Sequence, residues 1–489
     1  LNQPVDHEAG LIRSLELKSR LLDLDLDERK KTFAAFDQYL DGFLAALKSG
    51  PAFGARSGKS EGIIEADFPE NPSDAGDLIA LLKNHLDTEG INPASGGHLG
   101  YIPGGGIWPS ALGDYIAAVT NKYAGVVFAS PGAAMMEGML VNWMANMFGL
   151  PCTAGGTLTS GGSVANLAAI VAARDAREIK SAVVTQTVAY MTEQVHHCID
   201  KALRIAGLGE IIIRKVPMDE KFRMNISALR ELVESDESNG LKPWLLVSSA
   251  GTTDTGAVDQ TELAAEICQE HNLWLHVDAA YGGFFILCEE GKEILKGLNR
   301  ADSIVVDPHK GLFLPYGTGA VIVKDRKDLY RSHAYQANYM QDALKFEDWS
   351  PADLSPELTR HFRGLRMWLP MKLLGISPFR AALSEKIFLA RYFYRKIQEI
   401  PGMEVLGFPE LSVVPFRMIP EEIDADEFNL RLIAEIHRDG RVFLSSTKIR
   451  NQVWLRVAIL CFRTHLATIE LCLSMIIECL AKTRKHFEN

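Results

Sequence analysis

Lys310 closes the run DSIVVDPHK (302–310) and Gly311 follows at once. A lysine placed where an apolar strand ends and the backbone reverses is set for desolvation, and a desolvated neutral amine is a nucleophile. A second apolar run, LWLHVDAAY (273–281), ends in the same way on Asp278, with the small Ala279 and Ala280 after it. A third, WLLVSSAGTTDTG (244–256), delivers the hydroxyls of Thr252 and Thr253. A fourth segment, GGTLTSGGSVANLAAIVAARD (155–175), passes through Gly161, Gly162 and Ser163 directly into a helical pattern. Free N–H groups at such a helix start bind phosphate.

Each feature alone has an ordinary structural explanation: a tight glycine turn, a helix cap, a strand-end lysine, or packed histidines at His196 and His309. TSGGSVAN also lacks the lysine of a nucleoside-triphosphate loop. Together, a phosphate cup, a strand-end aspartate and a strand-end lysine are what pyridoxal 5′-phosphate requires. The lysine would carry the cofactor and the cup its phosphate. The Asp278 carboxylate would keep the pyridine nitrogen protonated, because an opposite charge favours the protonated form.

The elements that must hold these groups are short β-rich runs alternating with helical patterns. SAVVTQT (181–187), EIIIRKV (210–216), WLLVSSA, LWLHVDAAY, DSIVVDP and GAVIVKD (319–325) are the expected strands. Strands alternating with helices predict an α/β fold with a mostly parallel sheet covered on both faces. Ligands gather beyond the carboxyl ends of such strands. Upstream, residues 11–50 repeat apolar positions every three to four residues and predict amphipathic helix. SGPAFGARSGKSEG (49–62) reads as an exposed linker and SGGHLGYIPGGGIWPS (95–110) as an ordered loop. The last 110 residues or so mix helices with SVVPFRMI and QVWLRVAIL, a smaller C-terminal α+β domain.

With 489 residues, two or three structural units are expected. Apolar and charged fractions of 47% and 23% are those of a globular protein, and a net charge of −11 argues against a nucleic-acid partner. No apolar run is long enough to cross a bilayer, so no membrane partner is expected, and Leu1-Asn2-Gln3-Pro4 does not begin like a signal peptide. Seven scattered cysteines without a CxxC pair suit reduced thiols in a cytoplasmic protein and no metal site.

HVDAAYGG with DPHK resembles the group II pyridoxal-phosphate decarboxylases, the family of aromatic-amino-acid, glutamate and histidine decarboxylases, from about residue 75 to the C-terminus. The resemblance implies the aspartate-aminotransferase fold (fold type I) and a homodimer with active sites at the subunit interface. It implies that residues 1–107 pack on the partner subunit, 108–368 form the large cofactor-binding domain and 369–489 the small one. Lys310 is similar to the family's Schiff-base lysine and Asp278 to its pyridinium partner, with Ala280 against one ring face. AYMTEQVHHCIDKA (189–202) resembles the segment that stacks an imidazole on the other face, in a register that selects His196 over His197. Thr253 resembles the threonine near the ring hydroxyl, and Gly162, Ser163 and His309 the phosphate ligands. Tyr101 and Pro103 match a substrate-side element, and Arg456 in VWLRVAIL matches an arginine near the substrate carboxylate.

Departures accompany the match. Gly311 stands where animal aromatic decarboxylases carry tryptophan, which implies a roomier phosphate end, and Asp307 stands where many relatives have asparagine. The stretch 341–362 lacks the tyrosine that protonates the carbanion in aromatic decarboxylases, with Tyr335 and Tyr339 just upstream. The resemblance therefore implies α-decarboxylation of an L-amino acid to the amine. The alternatives are a decarboxylation-dependent aldehyde synthase, motivated by the missing tyrosine, and a carbon–carbon lyase of the sphingosine-phosphate type, motivated by Ser160-Gly161-Gly162.

Overall fold

Strands whose residues are apolar without alternation must be covered on both faces, and that pattern builds the centre of this protein. The structure, a computed structural model, describes residues 3–65, 68–334 and 349–488. Seven strands form the main sheet: β1 (Gly155–Thr159), β2 (Thr187–Met191), β3 (Ile212–Lys215), β4 (Lys242–Ser249), β5 (Trp274–Asp278), β6 (Ser303–Val306) and β7 (Gly319–Val323). Their order is β1-β7-β6-β5-β4-β2-β3. Pairing is parallel from β3 through β6, and β7 runs against both of its neighbours. Successive side chains go to opposite cores, as the period-2 geometry of a strand demands. Leu246, Val277, Ile304 and Ile322 enter one apolar cluster. Leu245, Val247, Val305 and Val321 enter the other, with Ala165, Ala168 and Ala169 of a covering helix.

The expected strands are present with two differences. SAVVTQT is a turn, because the Thr187 hydroxyl donates to Val184 O at 2.7 Å and closes a short 3-10 segment, and the strand begins at Thr187. The unexpected β1 contains Gly155 and Gly156; a Cβ on Gly156 would collide with Val321 O of the adjoining strand. Glycine here is a condition of strand pairing, not a sign of a loop.

The chain forms two compact units, Leu1–Asn92 and Pro93–Asn489. In the first, α1 (Gln3–Ser19) and α2 (Leu26–Ala46) replace one continuous helical run, and an Asp25–Glu28 capping box starts α2. The segment expected as a free linker is tied down. Phe53–Gly54 pairs with Gly90–Ile91, and Ser57 N, Ser57 Oγ, Lys59 N and Ser60 Oγ donate to the Glu89 carboxylate at 2.5 to 2.9 Å.

The second unit also contains α3 (Trp108–Thr120), α4 (Pro131–Met147) and α5 (Gly162–Ala176). Towards the C-terminus, α6 (Ser377–Ile397), α7 (Ala425–Asp439) and α8 (Leu466–Glu488) surround an antiparallel sheet. Its strands are β8 (Met403–Val405), β9 (Val413–Met418), β10 (Ser445–Ile449) and β11 (Gln452–Ala458), in the order β8-β9-β11-β10. Phe393, Phe416, Phe428, Leu455 and Ile476 fill the core between them. This is the expected α+β composition. No described helix is long and apolar enough to cross a membrane.

Candidate active site

The adjacent parallel strands β4, β5 and β6 end together: Ser249 pairs with Asp278, and Asp278 with Val305. Beyond their carboxyl ends lies a cavity of about 320 Å³. Gly162, Ser163, His196, Thr253, Asp278, Ala280, His309 and Lys310 all line it. Eight residues spread over 149 positions (162 to 310) of sequence therefore share one cavity wall.

At one side, no side chain caps the start of α5, and the cavity meets that start at Gly161, Gly162 and Ser163. The helix dipole and its free N–H groups favour an anion there. At the other side, β6 stops at Val306 and Pro308 opens the one-turn helix Pro308–Gly311. Proline fits the first helical position because its missing N–H would have had no partner. That turn delivers Lys310, whose Nζ lies 2.8 Å from Asp307 Oδ2. Asp307 is 1% exposed, and its Oδ1 has no hydrogen-bond partner among the described residues. Burial pulls the Lys310 amine down, but the Asp307 carboxylate outweighs it, helped by Asp278, and the amine is held above the ordinary lysine value. This corrects the expectation of a neutral amine: the ion pair keeps Lys310 charged.

The imidazoles behave differently. Burial, with His197 adding to it, pushes His196 down, and Cys198 N donates to His196 Nδ1 at 3.3 Å. A neutral ring accepting at Nδ1 carries its proton on Nε2. His197 is exposed, and His196, not His197, lines the cavity. His309 is also pushed down by burial, and its Nδ1 donates to Thr318 O at 2.7 Å. Arg366 braces that loop by donating to Tyr316 O and Thr318 Oγ1. Asp278 accepts from Ala280 N and from Asn166 Nδ2, each at 3.1 Å.

Tyr101, Pro103 and Arg456 do not belong to that wall. Arg456 on β11 is 3% exposed, donates to Ser445 Oγ at 2.7 Å and to Tyr101 O at 2.8 Å, and its Nε has no partner among the described residues. The loop that begins at Tyr101 continues past the lysine turn, where a Cβ on Gly104 would collide with His309 O. The space expected at Gly311 is filled: a Cβ there would stand 2.7 Å from Phe284 Cβ, and Phe284 is buried. Tyr335, Tyr339 and positions 341–348 of the tyrosine-free stretch lie outside the described residues.

The sequence reading missed Asn166 and His276, both fully buried beside Asp278. Their signal was spacing. His276 precedes Asp278 by two and shares its strand face, and Asn166 lies one helical turn after Gly162.

The cavity fits pyridoxal phosphate on its own features: an uncapped helix start for the phosphate, a lysine, and a carboxylate at a strand end. A family model described as the pyridoxal-dependent decarboxylase conserved domain matches residues 58–419. The aromatic-L-amino-acid decarboxylase of Bacillus atrophaeus is 33% identical over 403 residues, covering 81% of this chain and 83% of the relative. That of Mus musculus is 27% identical over 464 residues, covering 90% and 95%. Among solved structures, Oryza sativa TDC with PLP and tryptamine superposes with a TM-score of 0.88 at 24% identity, covering 94% of this chain and 99% of that one. Catharanthus roseus tryptophan decarboxylase in complex with L-tryptophan gives a TM-score of 0.87 at 23% identity with the same coverage. These structural likenesses establish the fold as that of a pyridoxal-phosphate enzyme of fold type I. With the family match and the sequence relatives, they show that the chain belongs to the pyridoxal-dependent decarboxylase family and uses pyridoxal 5′-phosphate to remove the carboxylate of an amino acid.

Proposed function

We propose that the substrate is an aromatic L-amino acid, that the product is the amine, and that the enzyme works as a cytoplasmic homodimer. One observation carries the assignment of the reacting groups: Lys310, Asp278 and the uncapped start of α5 line a single cavity. The aromatic class is supported by the aromatic-L-amino-acid decarboxylase at 33% identity. Seven unpaired cysteines support a reducing compartment. Trp108, Tyr115 and Val119 on α3 and Met135 and Met139 on α4 are exposed, an apolar surface suited to a second copy. Residues 1–107 are assigned to packing on that copy, 108–368 to the large domain and 369–489 to the small one.

Bound pyridoxal phosphate supplies an electron sink for the pair left on Cα as carbon dioxide departs. Gly162 and Ser163, with His309 beside them, hold its phosphate by N–H donation. Asp278 keeps the proton on the ring nitrogen. Ala280 and the neutral His196 would hold the ring between them, and Thr253 would serve its hydroxyl. Lys310 is the point of covalent attachment and accepts or returns a proton at Nζ. Arg456, which donates to Tyr101 O, would with Tyr101 and Pro103 orient the substrate carboxylate.

Purified holoenzyme is to be offered tryptophan, tyrosine, phenylalanine and glutamate, with carbon dioxide and amine measured. Aromatic amines in equal amount to carbon dioxide are the expected result. Turnover of glutamate alone would overturn the aromatic assignment. An aldehyde, formed with consumption of oxygen, would favour the second reading, whose motive is the absence of tyrosine from 341–362. Borohydride reduction and peptide mapping should place the pyridoxyl group on Lys310.

A further inference from the structure

The carboxylate of Asp278 is the end of a buried line of hydrogen bonds. Asn166 Nδ2 lies 3.1 Å from Asp278 Oδ2, and Asn166 Oδ1 lies 2.8 Å from His276 Nε2. His276 Nδ1 lies 2.8 Å from Ser303 Oγ, and Trp274 Nε1 lies 2.8 Å from the same oxygen. Asn166, His276 and Ser303 have no exposed surface, and Trp274 has almost none. The strand period explains the assembly. Trp274, His276 and Asp278 alternate along β5 and share one face. Ser303 is the register partner of His276 on β6, and α5 packs on that face.

One assignment of hydrogens satisfies the whole line. A carboxylate can only accept, so Asn166 turns its NH2 to Asp278 and its Oδ1 to His276 Nε2, which must donate, while Ser303 accepts from the Trp274 indole and turns its own proton to His276. His276 Nδ1 is therefore an acceptor. Burial pushes this imidazole down to about 4, so the ring is neutral and its single proton is on Nε2. Nε2–H donates to Asn166 Oδ1, which leaves the amide NH2 facing Asp278. The second amide hydrogen has its own acceptor, Cys198 Sγ at 3.2 Å. A reversed amide would set a carbonyl oxygen against the carboxylate and a donor against a donor.

We propose that Trp274, Ser303, His276 and Asn166 are positioning residues whose directional hydrogen bonds fix the side chain of Asp278 for the cofactor's ring nitrogen. The line transfers no proton. Its polarity is set at Asp278, where a carboxylate can only accept, and it ends there in a donor that holds the carboxylate in place. This rests on the assignment of Asp278 to the ring nitrogen.

Two variants test it in the holoenzyme. Ser303→Ala leaves the buried His276 Nδ1 and Trp274 N–H without their partner, which loosens the ring that holds Asn166. Asn166→Leu removes the last donor at similar volume. For each, the pH titration of the cofactor's visible absorbance, kcat, KM, cofactor content and thermal melting are measured. Ser303→Thr, which restores the hydroxyl, and Asp278→Asn are run beside them. The expected result is a shifted absorbance titration and a kcat lower by about tenfold, the scale of one hydrogen bond to a charged group. KM should stay within about twofold of wild type, since this loss falls on the reacting state. Ser303→Thr should return both signals. Should one variant fail to fold, the other decides. If a folded, cofactor-loaded Ser303→Ala or Asn166→Leu titrates and turns over as wild type while Asp278→Asn is impaired, the positioning role is wrong. If Asp278→Asn is itself unimpaired, the assignment of Asp278 fails instead.

Discussion

Asp307→Asn should speed attachment of pyridoxal phosphate to the apoprotein near neutral pH. Attachment requires an unprotonated Lys310, and Asp307 opposes that state from 2.8 Å while itself almost fully buried. Coulomb's law at an effective dielectric constant of about 20 gives roughly 6 kcal/mol at that separation, which is an upper bound. An opposite charge at this range favours the protonated amine. Removing the Asp307 charge should therefore raise the neutral fraction of Lys310. Burial still pulls the amine down, with Asp278 left to oppose it. Asparagine nearly preserves the shape of the aspartate, so the turn from Asp307 to Lys310 has no reason to move.

The assay is the rate of cofactor absorbance change on mixing with apoprotein, from about pH 6 to about pH 9. The variant's profile should lie above that of wild type and approach it as alkali neutralises both amines. Pyridoxal, which lacks the phosphate, repeats the comparison without repulsion between phosphate and Asp307. Superposed profiles with both aldehydes would show that the ion pair does not set the protonation of Lys310. The linkage has a definite sign. The raised folded value means that the pair stabilises the protein below the unfolded lysine pKa and is lost as pH rises through the folded one. Apoprotein carrying Asp307→Asn should therefore melt lower than wild type at neutral pH, and the gap should narrow in alkali.

Asp278→Asn should lower kcat by orders of magnitude, roughly the loss of one strong electrostatic catalyst, with melting little changed; steady-state kinetics beside a melt will show it. Arg456→Lys cannot maintain donation to both Ser445 and Tyr101, so KM should rise or kcat fall strongly although the charge is kept. Gly311→Trp would drive a side chain into Phe284 and should cost about 1–3 kcal/mol in a denaturant melt. His276 and His98 are each held by burial at about 4 against an ordinary 6.5. Both are neutral in the fold, so their stabilisation is complete above 6.5 and is lost as pH falls towards 4, on the order of 3 kcal/mol each. Denaturant midpoints across that range should fall with pH, and His276→Gln should flatten part of the slope.

The legible part of this protein is the part that a strand's period dictates. The apolar runs SIVV and LWLHV end at the sheet edge, and Asp278 at the last position of its strand and Lys310 just past the next both line the cavity there. What stayed hidden is pairwise. A charge at a strand end reads as a desolvated lysine until its neighbour is known, and Asp307, three residues before it, reverses the protonation state. Gly311 reads as empty space until Phe284, remote in sequence, is found to fill it. Asn166 and His276 are polar residues inside apolar patterns, which sequence reasoning passes over as isolated exceptions. Their burial is intelligible only as a set, because a buried donor or acceptor without its partner costs about 1–3 kcal/mol. A buried polar residue two positions before a strand-end carboxylate therefore implies a hydrogen-bond partner on the covering element. Here the facing position on α5 is Asn166, the residue that turns a donor toward Asp278.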